Sequence, residues 1–359
     1  MRSALLRIPI VLVVMALALG PETADATFSG QNGVIAFTRG SQGILLMEPD
    51  GSSVTRVTNG GDLSAAFSPD GTRIAFVRWQ QIAPGEYRSA VFVVRTDGTY
   101  LHRVSGVVRG WWGAQHPVWS PDGRWIAFED FILGADPVTH DETYRGALFV
   151  VRPGGGRFRR LTGYGARNAE ASWSPDSRRI VFSRGTGKMG DLWAMNRDGS
   201  DQVRLTSTAD VLKTYPVWSP DGRSISFARA SGNRRTVELF TMRPDGTDKH
   251  RMTELHRIVE NPQWSPDSST IAFVVMNGDT GGSRLWRVSS DGSGLRPLSP
   301  RDGGSVAYQF AWSPDSTRIA CQLGGDLYSM DAGSGTMTRL TMTPREEFVD
   351  AWQSVPASA

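Results

Sequence analysis

Phe67-Ser68-Pro69-Asp70-Gly71, with Ile74-Ala75-Phe76 three residues on, is the stretch whose reading decides the fold. The phrase returns at Ser120-Pro121-Asp122-Gly123, Ser174-Pro175-Asp176, Ser219-Pro220-Asp221-Gly222, Ser265-Pro266-Asp267 and Ser313-Pro314-Asp315, at spacings of 52, 54, 45, 46 and 48 residues. An aromatic precedes each copy (Phe67, Trp119, Trp173, Trp218, Trp264, Trp312), and an apolar triplet follows, from Ile126-Ala127-Phe128 to Ile319-Ala320-Cys321. Proline fixes φ and aspartate caps its own backbone, so each phrase reads as a tight turn between two strands.

Working outward, each turn is followed by a short apolar run such as Leu192-Trp193-Ala194-Met195. Next come an Asp-Gly turn such as Asp198-Gly199 and a phrase like Arg204-Leu205-Thr206. Four short strands in about 45–50 residues is the signature of a propeller blade. The Pro-Asp phrase occurs six times, but the other elements imply one blade more. Ile35-Ala36-Phe37, Leu45-Leu46-Met47, Asp50-Gly51 and Arg56-Val57-Thr58 lack a first strand, and Asp350-Ala351-Trp352 is a first strand with nothing after it. Joined, they make a complete blade and remove free sheet edges. The expectation is an all-β, seven-bladed propeller of four-stranded blades, closed by the C-terminal strand; six blades is the alternative.

These repeats resemble the WD-like Pro-Asp repeats of TolB-like β-propellers over residues 33–353. The resemblance implies the fold. Bacterial TolB carries an α/β domain ahead of its propeller, whereas about six residues separate the predicted cleavage site from the first strand here. The repeats are also similar to the propellers of prolyl-oligopeptidase-type peptidases, but no Gly-x-Ser-x-Gly nucleophile elbow is present.

The chain of 359 residues is 39% hydrophobic, with 40 Gly, 12 Trp and a formal charge of +3. That balance excludes disorder and a multi-span membrane protein. A lone Cys321 excludes a disulfide framework and a cysteine-clustered metal site. Arg2 and Arg7, the apolar run Ile8–Leu19 and Ala24-Asp25-Ala26 read as a signal peptide over 1–26 cleaved after Ala26. Residues 27–359 read as a single β-propeller domain, secreted or periplasmic, monomeric and without a membrane span after cleavage. The alternative is an uncleaved anchor.

Most repeated residues read as structural: the first-strand aromatics as plugs between sheets, Cys321 as a buried small apolar group, and the arginine before Leu-Thr as a guard on the outermost strand. Arginine at this regular spacing argues against a nucleic-acid patch. Function is expected in loops that depart from the repeat, including 79–90, 105–115, 131–146, 163–169 and 207–214. Three residues before each aromatic stand Ser64, His116, Glu170, Tyr215, Asn261 and Gln309, with Val349 seventh. At equal register on the innermost strand these form a polar ring at the channel mouth, either binding a ligand or satisfying neighbouring backbone. Trp79, Trp111 and Trp112, with Tyr87 nearby, are aromatics that the repeat does not demand, and read as anchors for a partner or as packing beneath the 131–146 loop. Asp136 and His140-Asp141-Glu142 read as a solvated loop rather than a metal site. No cofactor motif appears. The expectation is a non-catalytic propeller binding a protein or an extracellular glycan through its variable-loop face. The alternative is a metal-assisted polysaccharide lyase like the oligogalacturonate lyases, with His116 and Glu170 in its site.

Overall fold

The computed structural model describes residues 28–356, except 84–85, 107–112, 136–141, 187–188, 208–210, 233–234, 278–281, 301–305 and 344–345. Among the described residues there is no helix, and strands follow one another in a single repeated pattern. A representative unit is Arg167–Trp173, Arg179–Thr186, Met189–Asn196 and Val203–Arg204, each strand antiparallel to the next. The architecture is all-β and propeller-like. We name each unit by the aromatic on its inner strand.

The sequence phrases fall where their chemistry requires. In Ser68-Pro69-Asp70-Gly71, Gly71 N donates to Ser68 O (2.8 Å) and Ser68 Oγ donates to Asp70 Oδ1 (2.5 Å). Arg73 N donates to Ser68 Oγ (3.0 Å), closing the loop onto the second strand. The fourth turn residue has positive φ, and Gly71, Gly123 and Gly222 meet that need without cost. Ser177, Ser268 and Ser316 replace glycine in the other turns, at φ of 59°, 62° and 65°. Each is compensated across the unit boundary: their hydroxyls accept Asp122 N, Asp221 N and Asp267 N at 2.9–3.0 Å.

The inner-strand aromatics fill the spaces between sheets, from Trp119 and Trp312 at 1% exposure to Trp218 at 8%. Four indoles also donate to a carbonyl on the inner strand one unit earlier. Trp119 Nε1 reaches Ala66 O, Trp173 reaches Val118 O, Trp264 reaches Val217 O and Trp312 reaches Gln263 O, at 3.0–3.3 Å. A buried indole N–H is costly unless paired. Cys321 is fully buried among apolar neighbours, which pushes its thiol up to about 12.

The Arg-Leu-Thr phrase is a double clasp. Its Thr or Ser hydroxyl accepts a third-strand N–H in every unit: Thr58 from Ile44, Ser105 from Val91, Thr162 from Leu148, Thr206 from Leu192, Thr253 from Leu239, Ser299 from Leu285 and Thr341 from Leu327. The arginine does more than guard an edge. Arg204, Arg251 and Arg339 donate through Nε to the carbonyls of Thr206, Thr253 and Thr341 (2.7–2.9 Å) and pair with the third-strand acids Asp191, Glu238 and Asp326.

Strand Glu347–Val355 pairs antiparallel with Gln31–Arg39, giving a four-stranded sheet with Ile44–Met47 and Thr55–Arg56. Trp352, 2% exposed, packs with Ile35, Phe37 and Val349, and its Nε1 donates to Gly33 O (2.9 Å). Arg39 Nε meets buried Glu347 Oε1 at 2.5 Å.

Candidate functional site

Each inner strand loses register partway along. The shifts fall between Leu63 and Ala66, Gln115 and Val118, Ala169 and Ser172, Thr214 and Val217, and Glu260 and Gln263. At each, two residues oppose one, which defines a β-bulge. The first bulged residue is Ser64, His116, Glu170, Tyr215 or Asn261, five of the six polar positions singled out in the sequence, with φ of 56°, 46°, 61°, 53° and 48°. None is glycine, although a left-handed conformation costs a side-chain-bearing residue about 1 kcal/mol or more. The Pro-Asp turns alternate glycine with serine under the same demand; these five bulges do not. Gln309 is half-buried near the shift between Val306 and Phe310.

The acids here are tied to backbone. Glu129, 1% exposed on the Trp119 unit's second strand, accepts Glu170 N on Oε1 at 2.5 Å. Its Oε2 lies 3.5 Å from His116 Nδ1. Glu170 in turn accepts Tyr215 N on Oε2 at 2.8 Å, and its Oε1 lies 3.5 Å from Arg167 Nη2. Asp350 accepts Ala65 N at 3.1 Å. A carboxylate of one unit thus holds the bulged backbone of the next. Against the cost of desolvation, the carboxylates of Glu170 and Glu129 hold the Arg167 guanidinium above its ordinary value. Glu260, beside Asn261, is pushed up by burial alone.

The sequence position assigned to Val349 needs correction. Phe37 pairs with Val349 and Ala36 with Ala351, so the extra residue of that strand is Asp350, which supplies the polar group while Val349 is buried. Glu129, Arg167 and Asp350 were missed in the sequence. A signal existed for Glu129: it follows the apolar triplet, where other units carry residues such as Val77, Ala228 and Val274.

A family model described as the TolB beta propeller domain matches residues 39–314. The chain belongs to the TolB β-propeller family. The Tol-Pal system protein TolB of Anaeromyxobacter dehalogenans is 36% identical over 92 residues, which are 25% of this chain and 18% of that protein. The crystal structure of TolB from Acinetobacter baumannii superposes with a TM-score of 0.53 at 17% identity, covering 89% of this chain and 82% of that one. An oligogalacturonate lyase from Vibrio parahaemolyticus gives 0.64 at 13% identity, covering 89% and 88%. At these identities the likeness is one of fold.

In this TolB-type propeller the aromatic candidates are divided. Trp79 lies within strand Arg73–Ala83, opposite Ser89, rather than in a loop. The sequence reading missed that the second and third strands continue past the repeat as a ribbon, Glu86 following Ala83 in register. Trp79 is half-buried, and Tyr87 on the same ribbon is 47% exposed. Trp111 and Trp112 lie outside the described residues, as do Asp136, His140 and Asp141.

Among the described residues, the donors around His116 and Glu170 do not fit a divalent metal such as that in the manganese complex of an oligogalacturonate lyase. Among the described residues no three His, Cys, Asp or Glu are grouped to hold an ion. Glu129 and Glu170 each commit one oxygen to a backbone N–H and turn the other toward a basic side chain.

Proposed function

We propose that this chain is an exported, non-catalytic seven-bladed propeller that binds a protein or extracellular glycan at the mouth ringed by Ser64, His116, Glu170, Tyr215, Asn261 and Gln309. The observation carrying this reading is that five of those positions hold side chains where backbone strain favours glycine. Strain kept at equivalent positions of successive units is the mark of side chains retained for what they contact. Seven-blade closure is supported by the pairing of Glu347–Val355 with Gln31–Arg39 and by that strand's contacts with the Trp312 and Phe67 inner strands. Export rests on the apolar leader before Ala26.

The enzyme reading draws on the lyase fold and on His116 beside Glu129. The engagement of both carboxylates by backbone amides favours binding. The test compares wild type with Tyr215→Gly and Asn261→Gly on an extracellular-glycan array and by crosslinking to an envelope extract. Both variants should keep the fold and lose the captured ligand. Undiminished capture would refute the mouth as the site, and manganese-dependent cleavage of oligogalacturonate would establish the lyase instead.

A further inference from the structure

The outer rim departs from its own repeat in one sector. Where the third strand offers Asp191, Glu238 or Asp326, the outer arginine is neutralised by it. Where the third strand carries Arg284 instead, the guanidinium reaches Ser299 O (3.0 Å) from the other side, and the outer strand has Pro297 in the arginine's place. The remaining positions, Gly43, Ala90 and Ala147, provide no carboxylate. Their outer arginines are Arg56, Arg103 and Arg160, all exposed. Among the described residues the side chains of Arg103 and Arg160 make no hydrogen bond or ion pair, and the Arg56 guanidinium reaches only Asn59 Oδ1 at 3.4 Å. Regular spacing in sequence therefore becomes clustering in charge.

The three arginines belong to successive units that touch at the rim. A Cβ on Gly98 would lie 3.4 Å from Val57 O, and His102 Nε2 lies 3.0 Å from Pro153 O. Exposed apolar groups interleave with them: Val54 at 43%, Tyr100 at 69% and Leu101 at 43%. Arg157 adds exposed charge beside Arg160, and Arg159 adds more, partly offset by Asp198 of the next unit.

We infer that this sector, centred on Arg56, Arg103 and Arg160, docks the protein peripherally on an anionic phospholipid surface. A guanidinium fork matches phosphate oxygens, and neighbouring apolar side chains can enter the headgroup boundary, a combination that an acidic polymer in water would not use. Each arginine near such a surface contributes a factor of roughly five to partitioning, so three contribute on the order of a hundredfold.

The test is sedimentation of the secreted protein with vesicles of phosphatidylglycerol and phosphatidylcholine, against phosphatidylcholine alone. Wild type should bind the anionic vesicles and release in high salt. Arg56→Gln/Arg103→Gln/Arg160→Gln should lose about a hundredfold, whereas the charge-matched Arg124→Gln/Arg178→Gln/Arg223→Gln should bind as wild type. Tyr100→Ser/Leu101→Ser should lower lipid partitioning yet leave retention on soluble polyglutamate unchanged. Equal losses in the two triple variants, or polyglutamate retention without vesicle binding, would overturn the inference.

Discussion

Trp352→Ala tests the C-terminal strand most directly. The indole is 2% exposed and packs with Ile35, Phe37, Ala311 and Val349, so truncation removes a full-sized core aromatic. Phe and Trp to Ala changes in cores cost about 3–5 kcal/mol. The indole also donates to Gly33 O, and losing that bond adds about 1 kcal/mol. With a urea slope of about 3 kcal/mol/M, a loss of roughly 4–6 kcal/mol moves the midpoint by about 1.3–2 M. Trp119→Ala, 1% exposed and bonded to Ala66 O in mid-chain, is the internal standard. Urea titrations followed by circular dichroism should give the two variants equal shifts within about a third. If Trp352→Ala moves the midpoint by less than a quarter of the Trp119→Ala shift, the strand is a loosely held end and the closure argument fails.

Glu170→Ala should relieve no strain and leave Tyr215 N and the Arg167 guanidinium without their acceptor, costing about 1–3 kcal/mol in thermal melts; a neutral result would show that the bulge holds itself. Lys213→Met should cost about 1–3 kcal/mol, since Lys213 is 1% exposed and bonded to Asp191 Oδ1 at 2.8 Å, while Arg204 and Thr206 still hold the Asp191 carboxylate. Burial pushes Asp70, Asp176, Asp191, Asp267 and Asp315 up, but their hydrogen bonds outweigh it and all five lie below the ordinary aspartate value. Their stabilisation is therefore complete above about pH 4 and fades as pH falls through their lower folded values, so urea midpoints should hold from pH 7 to about 5 and drop below 4. Cys321, its thiol pushed up to about 12 by full burial, should resist iodoacetamide at pH 8 until urea unfolds the chain.

The repeat made the turns, plugs and clasps legible because each is a local demand met by a fixed residue type. Pro-Asp in six of the turns, an aromatic on the inner strand and Thr or Ser after the outer-strand Arg perform the same task from unit to unit. The equivalence of the five bulged positions was legible by register, but their strain was not, since a bulge depends on pairing with another strand. Glu129 was missed because its partner, Glu170 N, lies 41 residues away on another unit. Val349 was misassigned because a bulge shifts which of two neighbours carries the polar side chain. The outer arginines looked uniform because their neutralisation is decided on the third strand.

The indole bonds also have a direction. Trp119, Trp173, Trp264 and Trp312 each reach back 47–55 residues, to a carbonyl already synthesised. A chain emerging from its N-terminus can add units in order, each completing its seam against the one before. The bond of Trp352 to Gly33 spans 319 residues. Closing a loop about six times longer costs roughly 1.6 kcal/mol more in chain entropy, before any delay in finding the partner. Refolding should therefore show a late step in which the last strand returns, with the Gln31–Arg39 edge exposed until it does.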